Sequence, residues 1–242
     1  MLAADGVKRL YDKVARFYDV AATPYAWSGA ARLSDRALAE LQLSSGDAVV
    51  DLGTGTGRNL IRLAEMVGPT GTVVGVDISP QMLARARAKV DEWGLTNVEL
   101  LEDDIATYEP PPDTQAVVAS YAIEMLADYD AVIARMVARL RDDGRIAVTG
   151  LRDPERWPEW LVRLASVINR PLGVTEAYRS HRPWETINRY TSNSVYERSE
   201  PLSASGTPCL DTDAIRTLHL MLEDGPRWRP AGGRHGEGDA CD

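Results

Sequence analysis

The residues with the clearest chemical potential form the run Val49-Val50-Asp51-Leu52-Gly53-Thr54-Gly55-Thr56-Gly57-Arg58-Asn59. A short apolar stretch feeds a glycine-rich turn that opens a helix. Such a turn lets the backbone approach a ligand closely and aims free N–H groups at it. Glycine loops are also ordinary punctuation between elements, so the spacing has to decide. The dinucleotide fingerprint needs glycines at the first, third and sixth positions, but counting from Gly53 the sixth position is Arg58. A nicotinamide or flavin dinucleotide is therefore disfavoured. No Lys-Ser/Thr pair follows, which disfavours a P-loop as well.

Three carboxylates accompany the loop. Asp51 ends the first apolar run, Asp77 ends the next in Val73-Val74-Gly75-Val76-Asp77-Ile78-Ser79, and Asp104 follows the third in Leu101-Glu102-Asp103-Asp104-Ile105-Ala106. An acid about 20 residues past such a loop, at a strand's carboxyl end, is placed to bind a ribose diol. The other reading of Asp77 is a helix cap, but Ser79 before Pro80 already suits that role. All three acids face one crevice if their strands lie side by side. A ligand with a sugar, an exocyclic amine and a cationic centre would use them.

The elements that must position these residues alternate. Residues 1–43 read as helix, with Leu10, Val14 and Phe17 on one stripe and a second periodic stretch from Ala30 to Leu43. Strands are expected at Ala48–Val50, Thr72–Val76, Val98–Leu101, Ala116–Ala119 and Arg145–Thr149. Helices are expected at Arg58–Val67, from Pro80 to Gly94, and at Tyr129–Leu140. Apolar strands alternating with helices predict an α/β fold, doubly wound around a mostly parallel sheet. Past Gly150 the rhythm changes. Trp157–Ile168 reads as helix, Asn169–Tyr190 is rich in Arg, Trp, Tyr and His, and Leu210–Leu222 offers the last helical periodicity before a Gly-rich end expected to be disordered.

Composition narrows the partners. Of 242 residues, 44% are hydrophobic and 26% charged, ordinary for a soluble globular chain. The net charge of −9, with 24 Arg against 3 Lys, argues against nucleic acid as the main partner. Two late cysteines, Cys209 and Cys241, make neither a disulfide framework nor a metal cluster. With no apolar run near the ~20 residues that span a bilayer, and no signal-peptide core at the start, a cytoplasmic location is expected.

In combination, Asp51 to Gly57 with Val76-Asp77-Ile78-Ser79 resembles the class I S-adenosylmethionine-dependent methyltransferases, over about residues 7–195. The resemblance implies S-adenosyl-L-methionine as cofactor and a small-molecule or lipid acceptor. It implies that Gly53, Gly55 and Gly57 line the methionine moiety and that Asp77, with Ile78 after it, binds the ribose. Asp104 would take the adenine amino group with Ile105 beside the ring, and Ser120 the methionine end. The opening Tyr11-Asp12-Lys13-Val14-Ala15-Arg16-Phe17-Tyr18-Asp19 looks like the lid helix of ubiquinone/menaquinone-biosynthesis methyltransferases, and phosphatidylethanolamine N-methyltransferases open similarly. Tyr11 or Tyr18 would then close over the cofactor, or pack in the core.

An oxygen or carbon acceptor benefits from a general base, for which His181, Glu185 and Glu124 are candidates. Arg179, Arg182, Trp184 and Tyr190 would alternatively bind an anionic head group, and Trp157, Trp160 and Leu161 an apolar acceptor. The family fold closes with two further strands. Thr191–Tyr196 suits a sixth, but nothing after Glu197 reads as a seventh, so the domain is expected over 1–195, with 196–242 an atypical tail and the sheet edge incomplete. A cofactor-binding but catalytically idle relative is the alternative.

Overall fold

The computed structural model describes residues 4–21, 30–151, 182–191, 193–198 and 215–221. Two helices lead, α1 (Ala4–Ala21) and α2 (Ala30–Glu40). Then β1 (Ala48–Leu52), α3 (Leu60–Val67), β2 (Thr72–Asp77), α4 (Pro80–Glu92), β3 (Val98–Glu102) and β4 (Thr114–Ser120) alternate. They are followed by a 3₁₀ turn (Ile123–Met125), α5 (Tyr129–Val137), β5 (Leu140–Leu151), α6 (Pro183–Tyr190), β6 (Asn193–Arg198) and β7 (Ile215–Met221).

The strands form one sheet in the order β3-β2-β1-β4-β5-β7-β6. The five from β3 to β5 are parallel, and β7 runs antiparallel to both β5 and β6. Chain order reverses between β1 and β4, and a crevice opens at such a switch point, outside the carboxyl ends of the strands. Successive strand residues point to opposite faces. Val49 packs in a cluster with Leu38, Leu63 and Ala86, whereas Val50 joins Val117, Ile133 and Ile146 on the other face. Because both faces are covered, the central strands are apolar runs without alternation, the pattern that made them legible.

Local chemistry sets several boundaries. Ser79 Oγ accepts from Met82 N at 3.2 Å, with Pro80 at the first helical position of α4. Gly94 follows that helix with φ +61°, and no atom lies within 4 Å of where its Cβ would be. Helix α5 is shorter than expected. Asp143-Gly144, a dipeptide of the kind that usually turns, lies inside β5, where the register with β4 shifts between Thr114 and Ala116.

The C-terminal expectation is corrected. A seventh strand exists, and the stretch read as helical is β7, seated between β5 and β6 with Leu218 beside Val148 and Leu220 beside Ile146. The sheet is therefore complete in its strand order, and the expected incomplete edge is absent. Hydrogen-bonding groups along β5 require a partner strand, a demand that no local periodicity expresses. The helix expected at Trp157–Ile168 and the tail beyond Met221 lie outside the described residues.

Candidate active site

At the switch point lies a cavity of about 250 Å³. Its lining falls into two walls. One, from the carboxyl ends of β1 to β4 and the start of α4, carries the polar groups, with Gly53, Gly55, Asp77, Asp104 and Ser120 beside the apolar Ile78, Met82, Ile105 and Ala106. The other is largely apolar, with Val7 and Tyr11 from α1 and Tyr121, Ala122, Met125, Leu126 and Ala127 after β4.

The polar wall rests on a folded loop. Gly53 and Gly55 have φ of +65° and +58°, and a Cβ on Gly53 would meet that of Ala122 at 2.5 Å, so this turn requires glycine. Thr54 N donates to Val76 O at 3.0 Å, which fastens the loop to β2. Asp77 accepts Gly55 N at 2.8 Å on one carboxylate oxygen and Ser79 N at 2.9 Å on the other. Burial raises its pKa, while those N–H groups oppose the rise and Asp12 adds to it. Ile78 N–H is a third backbone donor to this group, and the carboxylate's four lone pairs still leave capacity for a ligand.

Asp51 is placed differently. It is 1% exposed, behind the loop rather than among the cavity-lining residues, and accepts from Thr54 Oγ1 at 2.7 Å and Asn59 Nδ2 at 3.2 Å. Burial pushes its pKa up to about 6 against the pull of those two hydrogen bonds, with the Asp77 charge adding to the rise. Gly57 is also behind the loop, where a Cβ would lie 3.0 Å from Ala86 Cβ, so its part is to let the loop pack on α4.

Beyond β3, Asp104 Oδ1 accepts Ala106 N at 2.9 Å in a tight turn that presents Ile105 to the cavity. Arg135 on α5 donates to the carbonyls of Tyr108 at 3.0 Å, Ile105 at 3.4 Å and Ala106, bracing that turn from behind. Sequence reasoning missed Arg135, since an Arg on an amphipathic helix looks like a solvated face. It also missed Met82, Tyr121, Ala122, Met125, Leu126 and Ala127 as lining residues, having singled out only Glu124 in that stretch. The sole backbone signal there is the left-handed Tyr121, with φ +57° and its N–H held by Thr149 O at 2.8 Å, a conformation unfavourable outside glycine.

Helix α1 covers the cavity. Val7 and Tyr11 are one turn apart and both line it. Asp12 Oδ1 accepts from Ser79 Oγ at 2.6 Å, Arg85 Nη1 donates to Ala15 O at 2.9 Å, and Lys8 pairs with Glu102. Tyr18 lies two turns beyond Tyr11 on the same helix, its side chain outside the described residues. His181 is outside them as well. Glu124 belongs to the 3₁₀ turn, between the lining residues Ala122 and Met125. The Arg182 guanidinium sits 5.8 Å over the Trp184 ring and 3.8 Å from the Glu185 carboxylate, while Tyr190 is exposed. Trp184 packs against the core.

Residues 49–144 match a family model described as a methyltransferase domain. Over 218 residues the chain is 34% identical to nocamycin O-methyltransferase of Saccharothrix syringae, covering 88% of this chain and 75% of that protein. The chain belongs to the class I S-adenosylmethionine-dependent methyltransferases. A demethylmenaquinone methyltransferase of Listeria welshimeri is 29% identical over 156 residues, 64% of this chain and 65% of that one. The fold is shared with phosphoethanolamine N-methyltransferase 2 of Haemonchus contortus, solved in complex with S-adenosyl-L-methionine. That match has a TM-score of 0.61 at 16% identity, over 78% of this chain and 52% of that one.

For this methyltransferase the cofactor is S-adenosylmethionine, and the cavity fits it. A close backbone cradle, carboxylates at the ends of β2 and β3, and apolar flanks from Ile78, Met82 and Ile105 offer partners for its amino-acid, sugar and ring portions. No helix among the described residues is long and apolar enough to cross a membrane.

Proposed function

We propose that the enzyme methylates a nucleophilic oxygen on a small, largely apolar organic acceptor, which binds against the wall formed by Tyr11, Tyr121, Met125 and Leu126. The observation that carries this reading is that the glycine loop and carboxylates at the ends of β1 to β3 share one cavity with aromatic and apolar residues from α1 and from the stretch after β4. The likeness to nocamycin O-methyltransferase supports oxygen as the accepting atom, and the likeness to a demethylmenaquinone methyltransferase supports an apolar ring as its carrier.

In this reading Asp77 holds the ribose hydroxyls, Asp104 the adenine amino group, Ile78 and Ile105 the ring, and Ser120 and the glycine loop the amino-acid end. When bound, S-adenosylmethionine supplies a methyl group on a cationic sulfur, already activated for in-line displacement, so no side-chain nucleophile is required. The work of the chain is alignment and exclusion of water by α1, and proximity of this kind supplies up to ~7–11 kcal/mol of barrier in favourable cases. Transfer of that methyl group to an oxygen acceptor would release the acceptor's hydroxyl proton, which would go to a base. Glu124, whose backbone lies on the 3₁₀ turn, and His181, outside the described residues, are the candidates for that base, while Glu185 is exposed and beside Arg182.

Methyl-labelled S-adenosylmethionine offered with phenolic or enolic acceptors, a demethylated quinone and phosphoethanolamine tests the reading. Label on an oxygen of the first two classes, reduced with Asp77→Asn, is expected. The substitution leaves one carbonyl oxygen where two backbone N–H groups now find two acceptors, and cofactor affinity should fall by about tenfold or more. Label on phosphoethanolamine alone overturns the acceptor class. Measured cofactor binding with no transfer to any acceptor favours the idle relative.

A further inference from the structure

Asn59 immediately precedes α3, where an asparagine ordinarily earns its place by capping the helix. Here its side chain makes no cap hydrogen bond. It turns instead between two strands: Nδ2 donates to Asp51 Oδ1 at the end of β1 and to Ser120 Oγ at the end of β4, each at 3.2 Å. Asn59 is 6% exposed and Asp51 1%, so bulk water does not compete for the contact between them.

The direction of each bond follows from the chemistry of the groups. An ionised carboxylate only accepts, so Asp51 compels the amide to present its NH₂. Thr54 donates to the second carboxylate oxygen and reinforces that choice. With one amide hydrogen on Asp51, the other goes to Ser120 Oγ, which is thereby the acceptor in that bond. The hydroxyl proton of Ser120 points away from Asn59, and Ser120 lines the cavity. The buried relay Asp51–Asn59 therefore converts an ambivalent hydroxyl into a fixed donor.

We propose that Asn59 is a positioning residue that makes Ser120 a committed hydrogen-bond donor, and that this donor receives the carboxylate on the amino-acid end of S-adenosylmethionine. The proposal rests on the reading that this end of the cofactor lies at Ser120. It assigns Asn59 a part in recognising one functional group of the cofactor, as distinct from holding the loop in shape.

Titration calorimetry with two ligands tests it: S-adenosylhomocysteine, and its decarboxylated analogue, which keeps the adenosine, the sulfur and the amine. The wild-type protein should prefer the carboxylate-bearing ligand by about tenfold, the usual weight of one hydrogen bond to a charged group. Asn59→Ala and Ser120→Ala should each reduce that preference to near unity while leaving affinity for the analogue unchanged. The double variant should lose no more than either single one, because both act through one bond. Should Asn59→Ala not fold, Asn59→Ser retains a polar group against Asp51 and is expected to give the same loss. A preference retained in these variants, or an equal loss of affinity for both ligands, overturns the positioning role. Wild-type protein that binds neither ligand overturns the cofactor reading itself, and this proposal with it.

Discussion

The two walls of the cavity are built on opposite principles. The polar wall is backbone and carboxylate, fixed largely by bonds between strands and the glycine loop: Thr54 to Val76, Asp77 to Gly55, and Asn59 to Asp51 and Ser120. The apolar wall is made of side chains on α1 and on the chain between β4 and α5, with α1 tied down by Asp12 to Ser79 and by Arg85 to the Ala15 carbonyl, and Leu126 packed in the core. Fixed dipoles suit a cofactor that is the same in every turnover. A packed surface is easily reshaped, which suits the partner that varies between relatives of one fold.

Four substitutions sharpen or break this contrast. Gly53→Ala should have the largest effect, because a Cβ there meets Ala122 at 2.5 Å while φ is +65°. A left-handed alanine and an overpacked contact together cost roughly 3–4 kcal/mol. Cofactor binding should be lost with it. Gly55→Ala, whose nearest atom is 3.9 Å away, carries only the backbone penalty and is the control. Thermal unfolding of the pair decides; equal losses would mean that the approach to Ala122 is unimportant.

Asp51→Asn comes next. Burial holds Asp51 at a pKa of about 6 in the folded chain against an ordinary 3.8. Because the folded value is raised, the favourable state is present at pH below the unfolded value and lost as pH rises through 6. The stability difference between wild type and Asp51→Asn should therefore change by about 3 kcal/mol in favour of the variant between about pH 4 and pH 7, then level off. Denaturant unfolding of both proteins across that range measures it, and a flat difference would show that Asp51 is ionised throughout.

Met125→Ala should have the smallest effect and should fall on the other side of the contrast. Half-buried on the apolar wall, Met125 should change the acceptor's KM about fivefold through lost contact area, leaving S-adenosylhomocysteine affinity unaltered. A weakened cofactor with an unchanged acceptor would reverse the assignment of the walls.

What the sequence determined is the half of the molecule governed by local rules. Central strands buried on both faces read as apolar runs, Ser79-Pro80 opens a helix, and glycines mark a turn whose positive φ only they tolerate. Asp77 and Asp104 were legible because their place at strand ends fixes where they face. The tertiary structure decided everything that depends on a partner distant in the chain. Ile215, Leu218, Met221 and Leu222 suit a helical stripe, yet Ile215–Met221 is a strand because β5 and β6 on either side need its hydrogen bonds. Asn59 suits a cap, yet it reaches Ser120, 61 residues on, because the reversal of strand order brings β4 beside β1. Asp51 reads as a ligand for the cofactor, yet it lies behind the loop, because alternation along β1 turns it to the face covered by α3. Spacing along a chain encodes direction and period; which groups then meet is set by the order in which strands are laid down.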